Sequence, residues 1–268
     1  MKKIYIFAAI IGAIAMSATF YSCKKNAAGR STLNLVDDGT VMSLAATQYA
    51  EFISQNPPVT GTPEAAQVQR VGAKLTTAVQ NYLSEIGKSD LISNYQWEYN
   101  LVNNPEANAW CLPGGKIVIY SGILPLMAND DEMAVVMAHE IAHAVLKHGN
   151  ERMSEQLLLS YGGAALSTLL SSKPQETQQL FNLAFGIGST LGTLSHSRRQ
   201  ESEADESGLY YMGFAKYNPN AAISFWEKMQ AQGGNSGPEF LSTHPSGDTR
   251  IADIKSHIPK AMEYYNRN

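Results

Sequence analysis

Two histidines and one glutamate in the stretch from Met137 to Ala144 have the types and the spacing needed to bind and use a metal ion. His139 and His143 are four residues apart, so on an α-helix they share a face and can present imidazole nitrogens to one ion at about 2.0–2.1 Å. Glu140 lies about 100° around the helix from His139, which suits a general base that takes a proton from water activated by the metal. Two imidazoles and a carboxylate favour zinc, with one ion per chain. The competing interpretation is a coincidental pair of helix histidines.

The residues around this HExxH motif predict the helix that the motif needs. Asp130–Glu132 supply an N-cap and a negatively charged first turn, and apolar residues then recur at helical spacing. Lys147–Gly149 mark the C-terminal end of the helix. On a continuous helix His148 would lie about 140° from His143, so we expect His148 to be structural and not a ligand.

A third metal ligand is expected in the acidic segment from Ser195 to Asp205. Glu201 and Asp205 are four residues apart and share a helix face, whereas Glu203 lies about 200° from Glu201 and is expected to point elsewhere. Glu201 can complete the metal set while Asp205 accepts an N–H from a ligand histidine. The alternative is a solvated acidic helix face, and His196 suits a helix entry or a surface position.

A small β-sheet is predicted immediately before the HExxH helix. Strand-type alternation occurs over 95–102, and the segments 108–112 and 116–122 flank the turn Pro113–Gly115. An exposed edge strand can hold an extended peptide by backbone pairing, which would lay a substrate across the metal. An ordinary hairpin without a binding role accounts for the same spacing.

The remaining segments are predicted to be mainly helical. Amphipathic periodicity indicates helices over 37–55, 62–86 and 221–232 and a last helix from about residue 248. The apolar stretches 156–170 and 179–194 are shorter than the ~20 residues of a membrane-spanning helix. They predict a buried helical hairpin instead, with close packing at Gly188 and Gly192.

The first 22 residues have the features of a targeting segment. Lysines at positions 2 and 3 precede an apolar run, and Cys23 follows that run. The segment Phe20–Lys25 resembles a bacterial lipobox, in which the chain is cleaved before the cysteine and the cysteine is lipidated. An uncleaved membrane anchor is the alternative.

This interpretation divides the chain into three parts. Residues 1–22 would be a lipoprotein signal peptide, and residues 23–37 would be the lipidated Cys23 followed by a flexible polar tether. Residues 38–268 would form one folded domain with a substantial core.

Charge and cysteine content narrow the class of protein further. The formal net charge is −4, which gives no electrostatic support to a nucleic-acid partner. The two cysteines are Cys23 and Cys111, so lipidation of Cys23 leaves Cys111 without an intrachain partner. We therefore expect Cys111 to be a buried thiol in a strand. No repeat with a period of roughly 20–50 residues is visible.

The combination and order of these motifs resemble one known family. The HExxH run, the run Glu201–Asp205 with the sequence ESEAD, and Asn108-Ala109 before the hairpin are together similar to metallopeptidase family forty-eight. This family includes HtpX and the CAAX prenyl proteases. The likeness covers roughly residues 38–258, and it is greatest to the soluble bacterial lipoprotein members of the family.

The resemblance implies an α+β, mainly helical, zincin-like domain and a zinc-dependent endopeptidase activity. It implies that the metal ligands are His139, His143 and Glu201. It also implies that Glu140 is the catalytic base. It also implies an edge strand near Asn108 and Ala109 that orients the substrate. A His-Pro segment that can occupy the open metal position in some relatives maps onto His244. An oxyanion donor and a plain loop histidine are the alternatives for His244.

The resemblance also implies that the substrates of this peptidase are misfolded or stalled proteins of the bacterial cell envelope. Its expected partners are polypeptide substrates and a membrane, reached through a lipid anchor at Cys23, on the periplasmic side of the outer membrane. The alternative is a proteolytically silent, metal-stabilised lipoprotein that acts as a chaperone or assembly factor. Glu140 argues against this alternative, because a structural zinc site needs no adjacent base and usually has four protein ligands.

Overall fold

A computed structural model describes residues 23–161, 174–185, 197–232, 240–244 and 248–267. Its helices are α1 (Asp38–Gln55), α2 (Pro63–Glu85), α3 (Asp130–Val145), α4 (His148–Tyr161), α5 (Pro174–Phe185), α6 (Arg198–Phe214), α7 (Ala221–Gln232), α8 (Phe240–Thr243) and α9 (Asp248–Tyr265). Its strands are β1 (Cys23–Lys25), β2 (Ser31–Leu33), β3 (Glu98–Val102), β4 (Ala109–Leu112) and β5 (Lys116–Tyr120). The predicted α+β, mainly helical class is confirmed.

The three-stranded sheet has the order β3-β5-β4, so β4 is an edge strand. β4 and β5 form the predicted antiparallel hairpin around Pro113–Gly115, and β3 pairs with β5 in parallel. Gly114 and Gly115 both have a φ of 88°, a left-handed conformation that glycine adopts without strain. The hairpin therefore places β5 in the centre of the sheet and leaves β4 beside α3.

Side chains alternate between two hydrophobic clusters along the hairpin. On one face, Cys111 and Ile117 join the cluster formed mainly by α2, α3, α6, α7 and α9. On the other face, Trp110 and Val118 pack with α1, α4 and α5. Cys111 is a buried free thiol in β4, as predicted, and burial raises its pKa well above the ordinary value. α3 lies in the larger cluster, and all but its first two residues are buried.

The stretch expected to be a flexible tether forms a docked hairpin over most of its length. β1 and β2 pair antiparallel, with Cys23 opposite Leu33. The following residues are held against α4, because Leu35 N donates to Ser154 Oγ at 2.9 Å. The short polar residues that suit a linker also supply the donors and acceptors of a hydrogen-bonded turn, which explains the difference.

Two helix boundaries differ from those predicted. Asn129 caps α3 by accepting a hydrogen bond from Glu132 N at 3.0 Å, so the N-cap precedes the acidic run. The next helix begins at His148, because Lys147 has a φ of 62° and breaks the chain direction after α3. In the described part of the chain, no helix combines the length and the hydropathy that membrane spanning requires.

Some predictions fall outside the described residues. They concern the targeting segment 1–22, most of the apolar stretches 156–170 and 179–194, Gly188 and Gly192, and His196. The described parts of the two apolar stretches are helical.

Candidate metal centre

Two helices carry the predicted ligands, and local sequence defines where the second one starts. Ser197 and Gln200 form a reciprocal capping box at the N-terminus of α6. The first turns of α6 then place Glu201 and Asp205 on one face toward α3, and both are buried. On α3, His139, Glu140 and His143 are each at most 5% exposed.

Gly208 allows these two helices to approach closely. A Cβ added at this position would lie 3.2 Å from His139 N and 3.3 Å from Ala138 C. The missing side chain therefore lets the backbone of α6 contact the backbone of α3 next to the HExxH motif. This close packing brings the Glu201 carboxylate to the two imidazoles.

Four side chains place possible ligand atoms in one buried cluster. The atoms come from His139, His143, Glu201 and His244, and all lie within 4.8 Å of one another. The Nε2 atoms of His139 and His143 are 3.0 Å apart, and His143 Nε2 is 3.3 Å from Glu201 Oε1. The structure thus gathers the three predicted ligands and adds the imidazole of His244 to the same cluster.

His244 contacts the cluster through both ring nitrogens. Its Nδ1 lies 3.0 Å from Glu201 Oε1 and 3.2 Å from His139 Nε2, and its Nε2 lies 3.4 Å from Glu140 Oε1. Phe240 stacks on the imidazole with ring centroids 4.4 Å apart. His244 is only 3% exposed, so its side chain is buried within the cluster.

Asp205 accepts a hydrogen bond from His139, one of the candidate metal ligands. His139 Nδ1 lies 2.9 Å from Asp205 Oδ1, which leaves His139 Nε2 directed at the cluster. Arg250 also holds Asp205, with Nε and Nη2 at 2.7 and 2.8 Å from its two oxygens. The Asp205 carboxylate therefore orients His139 and is itself fixed by a bidentate ion pair.

Sequence reasoning missed Arg250 as a site residue. Its guanidinium lies 2.8 Å from Glu201 Oε2 and 3.4 Å from the ring centroid of Trp226. No motif marked this arginine. The available signal was charge, because two buried carboxylates require a compensating cation.

Glu203 and His148 occupy positions that helical geometry alone did not foresee. Glu203 does point away from Glu201, but His148 Nε2 lies 3.1 Å from Glu203 Oε2. His148 Nδ1 in turn lies 2.8 Å from His143 Nδ1. The chain break at Lys147 folds His148 back against His143, so His148 contacts a candidate ligand and connects it to Glu203. His148 is not among the clustered ligand atoms of the described residues.

The electrostatic environment shifts the pKa values of Glu140 and Glu201 in opposite directions. Burial raises the pKa of Glu140 above its ordinary value. Burial opposes ionisation of Glu201 too, but His244, Arg250 and His139 outweigh it and hold the pKa of Glu201 well below its usual range. Glu201 is thus an ionised ligand candidate, and Glu140 has the increased proton affinity that suits a base.

Asn108 and Ala109 lie at the start of the edge strand. Ala109 N donates to Asn108 Oδ1 at 2.8 Å, so this backbone group bonds to its neighbour's side chain and not to β5. Ala107 O accepts a hydrogen bond from Phe240 N at 3.0 Å. The segment that carries His244 is therefore tied to the start of this strand.

The donor set fits a zinc ion. Two or three imidazole nitrogens and one carboxylate are ligands that zinc prefers, and the cluster is buried and compact. Glu140 Oε1 is buried beside it and accepts no hydrogen bond from the described residues. An HExxH helix with a carboxylate ligand from a second helix defines the class as a zincin-like metallopeptidase with a glutamate third ligand.

Comparisons with known proteins define the family. Residues 70–258 match the model of peptidase family M48, a zinc-dependent family, and the chain belongs to it. The mitochondrial metalloendopeptidase OMA1 of Saccharomyces cerevisiae is 34% identical over 214 residues, which cover 77% of this chain and 59% of that protein. OMA1 of Schizosaccharomyces pombe is 37% identical over 189 residues, 70% of this chain and 54% of that protein.

A bacterial relative is also similar. The beta-barrel assembly-enhancing protease of Escherichia coli is 32% identical over 165 residues, which cover 60% of this chain and 34% of that protein. The matches to these three relatives thus span between one third and three fifths of their lengths.

Proposed function

We propose that this chain is a zinc-dependent endopeptidase that holds one ion with His139, His143 and Glu201. The observation that carries the proposal is the buried cluster of these three side chains and His244, with Glu140 adjacent to it. Relatives named as endopeptidases and as a protease support hydrolysis over a silent chaperone. An ionisable base beside the cluster supports it further, because a structural zinc site has no use for one.

Glu140 would act as the general base. A zinc ion bound by this set supplies Lewis acidity, which lowers the pKa of a water molecule to about 7 and polarises a carbonyl. Glu140 takes the proton of the attacking water and passes it to the leaving amine. Its burial favours the first transfer, because a raised pKa makes the carboxylate a better proton acceptor.

The substrate would bind in an extended form along β4. The edge position of β4 leaves backbone groups that can pair with a peptide, and Ala109 N is one of them once Asn108 Oδ1 is displaced. A peptide held there would lie beside α3 and the metal ligands. Asn108 and Ala109 are the residues to which we assign substrate orientation.

We propose that the substrates are misfolded or stalled proteins of the cell envelope. The E. coli relative is named for assembly of β-barrels, and the lipobox-like sequence Phe20–Lys25 supports attachment through a lipidated Cys23. With cleavage before Cys23, the protein would be an outer-membrane lipoprotein that faces the periplasm. The hairpin that begins at Cys23 would then hold the domain close to the bilayer.

Metal removal tests the proposal. We expect the full-length protein in detergent to contain one zinc ion per chain and to cleave casein. Removal of the ion with ortho-phenanthroline should abolish cleavage, and added zinc should restore it, because no other group in the site supplies the Lewis acid. The non-chelating meta isomer is the control. Casein cleavage that persists in metal-free protein would contradict the proposal.

His244 has a testable role as a latch. Its Nδ1 lies among the candidate ligand atoms, where a fourth protein ligand would exclude the catalytic water and keep the enzyme latent. We expect His244→Ala to raise the casein cleavage rate at unchanged zinc content. A large fall at unchanged zinc content would instead assign His244 as an oxyanion donor. An unchanged rate would reject both roles.

A further inference from the structure

We infer that a hydrogen-bonded chain from Arg30 through Glu203 and His148 positions the His143 imidazole for metal binding. The N-terminal hairpin is then part of the metal centre and not a spacer. This inference rests on the proposed zinc site, and it concerns residues outside the ligand set.

The chain is continuous and largely buried. His143 Nδ1 lies 2.8 Å from His148 Nδ1, and His148 Nε2 lies 3.1 Å from Glu203 Oε2. The His148 side chain is fully buried, and the Glu203 side chain is 13% exposed. Arg30 Nε donates to the other oxygen of Glu203. Three contacts therefore connect a ligand histidine to the turn of the N-terminal hairpin.

The proton positions along this chain follow from its two ends, which are the cluster of ligand atoms at His143 and the carboxylate of Glu203. His143 Nε2 faces the cluster, so metal binding requires a lone pair on Nε2 and a proton on Nδ1. His143 Nδ1 then donates to His148 Nδ1, which must carry a lone pair, and His148 bears its proton on Nε2. That proton points at a carboxylate, which can only accept. Every donor thus meets an acceptor, and the chain selects the tautomer of His143 that can bind zinc.

The hairpin holds the carboxylate at the end of the chain. Asn26 Nδ2 donates to Glu203 Oε2 at 3.0 Å, in addition to the Arg30 contact. Arg30 also forms a two-point ion pair with Glu151 on α4, at 2.5 and 2.7 Å. Lys88 Nζ fixes the turn itself by donating to Asn26 O at 3.0 Å. One arginine therefore links the hairpin to α4, which begins at His148, and to α6, which carries Glu203.

The two ligand histidines are supported in different ways. His139 is held by Asp205 directly, whereas His143 reaches its carboxylate through a second imidazole. Outer partners of this kind typically change metal affinity about 10–100-fold. We assign Arg30, Glu203 and His148 as positioning residues, because none of them lies among the clustered ligand atoms of the described residues.

Zinc affinity measured by chelator competition tests this inference. We expect His148→Phe, which keeps the ring volume, to weaken zinc binding about 10–100-fold. Arg30→Met should weaken it in the same direction, and Arg30→Lys should recover part of the loss because the charge on Glu203 is again paired. Lys228→Met is the matched control, because it removes a partner of the buried Glu132 at the far end of α3. It should lower thermal stability and leave zinc affinity unchanged.

The tautomer of His143 gives a second readout that needs no variant. In nitrogen-15 NMR spectra of the zinc-loaded wild type, His143 should be protonated at Nδ1 and hydrogen-bonded to a nitrogen of His148. Wild-type zinc affinity in both His148→Phe and Arg30→Met, or a proton on His143 Nε2, would overturn the inference. A protein that binds zinc with these properties but cleaves no peptide would instead refute only the proposed function.

Discussion

Glu140→Gln is expected to bind zinc as the wild type does and to lose about 10²–10⁴-fold in the rate of casein cleavage. Glutamine has the same shape and fits the same buried position, but it cannot accept a proton. Glu140 is 4% exposed and its Oε1 accepts no hydrogen bond from the described residues, so the amide loses no existing hydrogen bond at that atom. The substitution therefore separates proton transfer from metal binding.

Glu132→Gln is the matched control on the same helix. Glu132 is buried near the start of α3 and is paired with Lys228, far from the ligand atoms. Its substitution should lower thermal stability without changing the cleavage rate of the folded protein. If Glu140→Gln cleaved casein at the wild-type rate with equal zinc content, Glu140 would not be the base.

Glu201→Ala is expected to give the largest loss of zinc affinity of any carboxylate substitution on α6. It removes a ligand, so the loss should exceed the roughly 10–100-fold effect expected for Asp205→Asn, which disturbs only the partner of His139. Arg250 keeps its bidentate pair with Asp205 in the Glu201 variant, which limits the destabilisation of the fold.

Glu206→Ala is the control for this series. Glu206 lies on the same helix, and its side chain is 38% exposed and bonded to Tyr210. On helical spacing alone, Glu203 would have been the control. The structure connects Glu203 to His148, so Glu206 is used instead. In chelator competition, zinc affinity should be highest for Glu206→Ala, lower for Asp205→Asn and lowest for Glu201→Ala. Equal zinc retention in the Glu206 and Glu201 variants would show that Glu201 is not a ligand.

Much of the fold was predictable because its signals are local. Apolar periodicity predicted α1, α2, α3, α7 and α9, and the turn at Pro113–Gly115 predicted the hairpin of β4 and β5. These signals depend on residues within a few positions of one another, where the period of a helix or strand decides which side chains share a face. The sheet order was not predictable in this way, because the parallel pairing of β3 with β5 is a long-range contact.

Spacing within one helix determined the core of the candidate site. His139 with His143, and Glu201 with Asp205, lie on common faces because each pair is separated by about one helical turn. The motif order also identified the family, which the comparison with known proteins confirmed. The sequence alone therefore predicted the ligands, the base and the carboxylate that supports a ligand histidine in the proposed mechanism, and the structure shows that this histidine is His139.

Only the tertiary structure decided which residues surround the candidate ligands and the base. Arg250 joins Glu201 and Asp205 from a helix more than forty residues further along the chain, and Arg30 reaches Glu203 across 173 residues. The left-handed conformation of Lys147 turned His148 from a remote helix position into the partner of His143. Helical spacing cannot report such contacts, because buried charges and imidazoles take their partners from whichever element the packed core brings within hydrogen-bond distance.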